Sequence, residues 1–247
     1  MKLSFVIPAY NEEAYIGKCL GSVLSQIEKG DYDTEIIVVN NASKDRTKDI
    51  AGSFKGVVVV DENRKGLIPA RQAGFKASVG DLIANIDADT ILPDGWIDRV
   101  IDEFSKDKKL VALSGPFIYY DLSKITNSLV KTFFYFGIIS NLLQQRVFKN
   151  GSVLQGGNFI LRREALEKIG GYNMNLSFFG EDIDVAKRIS KVGKVKFTSK
   201  LPIHTSGRRL KEEGVLATGL KCTADYFWIT FTGKPYRKFV QKDIRIS

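Results

Sequence analysis

The chain has 247 residues, 44% of them hydrophobic, and carries a formal net charge of +9, a composition that suits one large folded domain or two small ones and argues against a disordered polymer. Its two cysteines, Cys19 and Cys222, lie far apart with no CxxC, which argues against a disulfide framework and against a cysteine zinc site. The charge is uneven: residues 194–247 hold twelve Lys/Arg against four Asp/Glu, so nearly all the excess lies in the C-terminal fifth.

The first apolar stretch, Leu3–Ile7, is too short for a signal peptide and reads as a strand. Ala14–Gln26 repeats apolar residues at helical spacing, with Pro8 ending the strand before it and Asn11 placed to cap it. Strands follow at Glu35–Val39 and Val57–Val60, with a short helix Lys44–Ser53 between them that Ser43 is placed to cap. Ile68–Ala77 reads as a helix with Pro69 in its first turn, Leu82–Ile86 as a strand, Gly95–Lys106 as a helix and Leu110–Ser114 as a strand. Strands alternating with helices imply a mostly parallel sheet.

The second half breaks this rhythm. A long helix rich in Phe and Leu is expected over Ile125–Phe148; its uncharged stretch, Thr132 to Gln145, is shorter than the roughly 20 residues that span a bilayer. Asn158–Leu161 reads as a strand, Arg163–Ile169 and Glu181–Val192 as helices, and Val195–Thr198 as a strand. A last helix is expected over Lys211–Phe231, ahead of the basic tail Lys234–Lys238.

Asp87-Ala88-Asp89 concentrates the chemistry. An apolar strand delivers two carboxylates to a turn, and hard divalent cations take such oxygen ligands at strand ends. Other strand exits are polar: Tyr10-Asn11-Glu12 after the first, and Asn40-Asn41-Ala42-Ser43-Lys44-Asp45 after the second. Arg71 lies on the helix before the acidic strand, where it faces either a phosphate or a surface acid. Taken singly, each stretch also fits an ordinary turn or helix cap.

Together these stretches resemble the family 2 glycosyltransferases, inverting nucleotide-sugar transferases of the GT-A fold. The resemblance runs through Val6–Glu12, Val38–Thr47, Ala70–Gly74, Asp87–Asp89, Gly156-Gly157-Asn158-Phe159 and Gly180-Glu181-Asp182, covering about residues 3–205. It implies an α/β, Rossmann-like, mostly parallel central sheet flanked by helices, with a C-terminal helical extension. The implied domain spans 1–205, with a nucleotide half to about 115 and an acceptor half over 116–205; a basic, aromatic extension covers 206–247.

The resemblance implies a role for each position. Pro8, Tyr10, Glu12, Asn40, Arg71, Asp87 and Arg208 would bind the donor. Asp87 and Asp89 would form the DxD motif that holds Mg2+ or Mn2+ against the pyrophosphate, with His204, the single histidine, as a third ligand. Asp182 would be the general base and Glu181 its acceptor-side partner. Arg208 and Arg209, in a flexible-looking Ser206–Arg209 segment, would close over the diphosphate as a lid. One position departs from the family, which usually has Asp where this chain has Asn40; a UDP-sugar stays open but is weakened, and a guanine or thymine nucleotide becomes harder to exclude, so the donor is a UDP- or GDP-sugar with the base left open.

The implied activity is transfer of a sugar from a nucleotide-diphosphate donor to a glycan or lipid-linked acceptor in cell-envelope synthesis. The QxxRW motif of processive members is absent, which implies addition of one or a few sugars. Tyr226–Ile229 beside clustered Lys and Arg suits peripheral contact with the cytoplasmic membrane face, in an otherwise cytoplasmic protein. No nucleic-acid partner is expected, since a basic tail alone makes no stacking platform. Two alternatives stand beside this reading: a haloacid-dehalogenase-like phosphatase, disfavoured because the first strand ends in Pro8-Ala9-Tyr10, and a non-catalytic glycan- or lipid-binding module of GT-A shape.

Overall fold

The computed structural model describes residues 1–130, 132, 154–176, 180–215, 217–220, 224 and 228. The first half alternates as its pattern predicts: β1 (Leu3–Ala9), α1 (Ile16–Ile27), β2 (Thr34–Asn40), α2 (Thr47–Gly52), β3 (Val57–Asp61), α3 (Leu67–Ala77), β4 (Leu82–Ile86), α4 (Trp96–Lys106) and β5 (Leu110–Ser114). Then come β6 (Phe117–Tyr119), β7 (Asn158–Arg162), α5 (Arg163–Lys168), α6 (Glu181–Ile189), β8 (Lys194–Phe197), β9 (Ile203–Thr205) and α7 (Arg208–Glu213).

Among the described residues, seven strands form one sheet in the order β3-β2-β1-β4-β7-β5-β8, in which only β7 runs antiparallel to its neighbours. The mixed α/β architecture with helices on both faces is the one expected. Every residue of β4 and β5 is buried, as central strands covered on both faces require. Alternation along β1 sends Phe5 and Ile7 to a core shared with Leu20 of α1 and Trp96 and Phe104 of α4. Val6 goes to the opposite core, with Ile68 and Phe75 of α3, Phe159 of β7 and Val185 of α6.

The chain winds from β1 out to β3, then returns to β4 on the other side of β1. That reversal is the topological switch point, where open α/β sheets leave a crevice at their carboxyl edge. Because β7 lies between β4 and β5, the stretches 1–115 and 116–205 share one sheet.

Several local expectations change. Pro8 lies inside β1 rather than ending it. The Asn41 N–H donates to the Ala9 carbonyl, so Ala9 faces β2 and Pro8, one residue earlier, faces β4; pairing with β4 has already stopped at Val6, and the missing proline N–H leaves no gap. Neither Asn11 nor Ser43 caps a helix. The Asn11 Oδ1 accepts the Lys44 N–H (2.9 Å) and the Ser43 hydroxyl accepts the Asn11 N–H (3.1 Å), so the two loops are tied to each other. The Thr47 N–H, at the start of α2, is taken instead by Asp45 (3.0 Å).

Helices α5 and α6 are shorter than their patterns, ending at Lys168 and Ile189. A two-stranded parallel ribbon, β6 with β9, was not anticipated. Residues 124–130 are helical, and the remainder of the long Phe-rich helix to Phe148 lies outside the described residues apart from 132. The same holds for Phe178-Phe179, for about half of the Lys211–Phe231 helix and for the basic tail. Helix α7 starts earlier than the predicted last helix, at Arg208, and stops at Glu213 before Gly214 (φ 82°); beyond it the described residues 215, 217–220, 224 and 228 are again helical, as the pattern over Lys211–Phe231 predicts.

Candidate active site

The exits of β1 and β4 meet at the switch point. After β4, the Asp87 carbonyl accepts the Thr90 N–H (3.1 Å), a tight turn that presents Asp87 and Asp89. Ile91 then bonds both ways with the His204 backbone (2.7 and 3.0 Å), which fastens β9 alongside and brings the Thr205 hydroxyl to 3.2 Å from the Asp89 carboxylate. After β1, the Glu12 N–H donates to the Thr47 hydroxyl (2.7 Å). The Arg208 guanidinium spans the gap: one Nη lies 2.5 Å from Glu12 and 3.3 Å from Asp89, and its plane is over the Tyr15 ring at 4.6 Å.

Segment 206–209 leads into α7 and is tied down in this conformation. Asp121 holds it through the Ser206 hydroxyl (2.9 Å), the Gly207 N–H (2.5 Å) and the Lys211 ammonium (3.3 Å).

Burial pushes the Asp89 carboxyl up to about 7, helped by repulsion from Asp87 and, more weakly, Glu12; Arg208 and Thr205 oppose it. Burial works against the Arg208 charge too, but Glu12 and Asp89 hold the guanidinium protonated.

A second acidic pair faces this one. Arg71, 1% exposed, donates from one Nη to Glu181 (2.5 Å) and sets the other 3.5 Å from Asp87, its guanidinium resting on the Phe159 ring at 4.8 Å. Arg71 is thus a buried tie between the two acidic sets. Glu181 is buried and Asp182 half-buried at the start of α6. Burial raises the Glu181 carboxyl, Arg71 opposes this and Asp182 adds to it. Burial also raises Asp182, against Arg71 and the N–H groups of Ile183 and Gly156.

The turn before β7 joins the two sets. The Gly156 N–H donates to the Asp182 carboxylate (3.1 Å), and a Cβ on Gly157 (φ 81°) would stand 2.1 Å from an Asp87 oxygen. Only glycine fits there.

On the other flank, the Lys65 ammonium reaches the Tyr10 hydroxyl (2.8 Å) and lies over its ring. Asn40 gives its amide to Asp61 (2.8 Å) and accepts the Ser43 N–H (3.3 Å). The structure thus gathers Glu12, Arg71, Asp87, Asp89, Glu181, Asp182 and Arg208 about one crevice, with Tyr10 and Asn40 at the ends of β1 and β2. His204 meets this group through its backbone, and its neighbour Thr205 supplies the contact to Asp89. Thr205 and Asp61 escaped the sequence reading, their only signal being adjacency to His204 and to a strand end; Thr47 lay within the Val38–Thr47 stretch but was given no role.

Among the described residues, no three His, Cys, Asp or Glu side chains are grouped to hold a metal. Asp87 and Asp89 nonetheless fit one. They are hard oxygen donors on a rigid strand end, and the Asp89 carboxyl is raised by burial first and by repulsion from Asp87 next, a cost that a bound cation would relieve. Mg2+ and its kin are commonly bound by one or two carboxylates, with substrate phosphates completing the shell.

The sequence profile described as glycosyl transferase family 2 matches residues 4–170, and one described as the N-terminal domain of galactosyltransferase matches residues 141–206. Glycosyltransferase AglE of Haloferax volcanii is 27% identical over 198 residues, 77% of this chain and 62% of that protein, so the chain spans about three fifths of its relative. The mannosyltransferase PcManGT of Pyrobaculum calidifontis, in complex with GDP-Man and Mn2+, superposes with a TM-score of 0.65 at 18% identity, covering 90% of this chain and 64% of that one. Glucosyl-3-phosphoglycerate synthase of Mycobacterium tuberculosis, in complex with Mn2+ and UDP-glucose, does so with a TM-score of 0.60 at 22% identity, covering 96% and 80%. These likenesses establish the fold. Glu12, Arg71, the Asp87–Asp89 turn and Gly156-Gly157 all fall within the stretch 4–170, which is more than half of the chain, and the protein belongs to glycosyl transferase family 2.

Proposed function

We propose that the protein is a metal-dependent, inverting glycosyltransferase that moves a sugar from a nucleotide-diphosphate donor to an acceptor hydroxyl. The observation that carries this reading is the facing of two acidic sets across one crevice, Asp87 and Asp89 against Glu181 and Asp182, tied by Arg71 and the Gly156-Gly157 turn. Transfer with inversion needs such a division. Charge on the leaving diphosphate must be met on one face of the sugar, and a base must take the acceptor proton on the other.

Asp87 and Asp89 would hold the cation, Mg2+ or Mn2+; His204 is not grouped with them as the expected third ligand and supports the site through its backbone. When bound, the cation neutralises charge growing on the diphosphate. Arg208 adds a second positive group on the same side, beside Glu12. Asp182 is the base: it is the more accessible of its pair, and burial raises its proton affinity toward what a base near neutral pH needs. The Gly156 and Ile183 N–H groups aim its two oxygens. Glu181, neutralised by Arg71, lines the acceptor side. Pro8, Tyr10 and Asn40 form the nucleoside end. The Mn2+ complexes of GDP-Man and UDP-glucose in structural neighbours support a nucleotide-sugar donor and a divalent ion.

The acceptor we infer is a glycan or lipid-linked hydroxyl of cell-envelope synthesis. Among the described residues no helix is long and apolar enough to cross a membrane, so reaching a lipid-linked acceptor rests on peripheral contact through the aromatic, basic C-terminal segment.

The test is a panel of nucleotide sugars with Mn2+, for the wild type and Asp182→Asn. The variant should keep donor affinity and lose turnover by about 10²–10⁴-fold, the usual worth of a general base. Wild-type turnover in Asp182→Asn removes the base assignment, and no metal-dependent turnover or hydrolysis of any donor removes the reading as a whole.

A further inference from the structure

If that reading holds, the donor diphosphate lies at the end of β4 and the sugar points past β7 toward Asp182. Along the carboxyl edge of the sheet, one direction remains for the nucleoside, over the ends of β1, β2 and β3. There β2 closes with Asn40 and β3 with Asp61, direct register partners.

The two side chains form a fixed polar unit. The Asn40 Nδ2 donates to one Asp61 oxygen (2.8 Å), the Lys48 ammonium donates to the other (2.6 Å), and the Asn40 carbonyl accepts the Ser43 N–H (3.3 Å). A carboxylate only accepts, so it settles which way the Asn40 amide faces. Asn40 is buried, while 47% of the Asp61 side chain stays open to a ligand. The ion pair with Lys48 is exposed on both sides and adds little to stability, too little to be the reason for an acid turned onto a buried amide.

We propose that Asp61 reads the donor base and selects guanine, which makes the substrate a GDP-sugar. The proposal rests on the transferase reading above and names its substrate class. Each Asp61 oxygen accepts one hydrogen bond from Asn40 or Lys48 and keeps room for another. Guanine places N1–H and a 2-amino N–H side by side, two parallel donors that match two carboxylate oxygens. Its O6 is an acceptor for the second Nδ2 hydrogen of Asn40. Uracil offers N3–H between two carbonyl oxygens, so one carboxylate oxygen would face an acceptor. Adenine and cytosine set a single donor next to an acceptor and meet the same conflict. The bonds from Asn40 and Lys48 keep Asp61 ionised, its carboxyl below the usual aspartate range.

The experiment is calorimetric binding of GDP, IDP, UDP and xanthosine diphosphate in Mn2+, for the wild type and Asp61→Asn. IDP lacks only the 2-amino group, and xanthosine diphosphate replaces it with a carbonyl. Wild type should bind GDP about tenfold or more tighter than IDP or UDP, the value of one hydrogen bond to a charged group. Asp61→Asn should lose a similar factor for GDP and gain for xanthosine diphosphate, because a carboxamide can donate to the new carbonyl. UDP binding as tightly as GDP, or a GDP-to-xanthosine preference unmoved in Asp61→Asn, overturns the proposal and leaves the transferase reading standing. Failure of every nucleoside diphosphate to bind overturns both. The wild-type series alone decides the matter if the variant does not fold.

Discussion

Asp89 is where the site's electrostatics can be read most directly. Its carboxyl is raised to about 7 by burial first and by Asp87 next, against an ordinary value near 3.9. The folded state therefore favours the protonated acid. The stability this gives is fully present below about pH 4 and is lost as pH rises through about 7. Asp89→Asn, which carries no charge to bury, should melt at a higher temperature than the wild type at pH 8 without metal, and the difference should vanish near pH 4. A cation needs the ionised form, so Mn2+ affinity should climb about tenfold per pH unit up to about 7 and then level off. Asp89→Asn should bind weakly at every pH, and calorimetry across pH 5.5–8 checks both. Arg71 gives the opposite case, a buried cation shared by Glu181 and Asp87. Arg71→Met leaves an uncompensated buried acid and should lower urea stability by about 3–5 kcal/mol. A loss of under about 1 kcal/mol would mean that the tie is not part of the fold's support.

At the scale of elements, the turn between residue 154 and β7 does what neither acidic motif does alone. The Gly156 N–H orients Asp182, and bare Gly157 lets Asp87 approach. Gly157→Ala puts a methyl group 2.1 Å from the carboxylate on a backbone of positive φ. It should displace Asp87, reduce both Mn2+ affinity and turnover, and lower the melting temperature; an unchanged Mn2+ affinity would show the approach to be unimportant. The glycine pair was visible in the chain as a motif, but its partners were not, because Asp87 and Asp182 lie seventy residues upstream and twenty-five downstream of it in sequence. The β6–β9 ribbon was hidden for a related reason. Three-residue strands carry no period of their own, and β9 is defined by what it pairs with, Ile91 and β6. The loops after β1 and β2 misled the capping expectations in the same way: Asn11 and Ser43 had a partner in each other's loop, which a reading confined to one helix start does not consider.

For the whole molecule, apolar runs alternating with amphipathic stretches were sufficient to give the α/β class and nearly every strand. Burying a run of five residues such as Leu82–Ile86 on both faces leaves a central parallel strand as the simple outcome. The strand-end acids Asp87 and Asp89 and the polar exits of β1 and β2 were legible for the same reason, since local pattern fixes where a strand stops and which residues occupy its exit; the pair Glu181 and Asp182, in the first turn of a helix, was singled out by the family resemblance. Strand order was not legible: β7 enters antiparallel between β4 and β5, and this brings the second acidic pair to the switch point. Only the tertiary structure decided that Arg71 is a buried tie, that Arg208 already bridges Glu12 and Asp89, and that Asp61 backs Asn40. A charged side chain is paired according to what the fold sets within about 4 Å of it, and that neighbourhood is made by residues far apart in the chain.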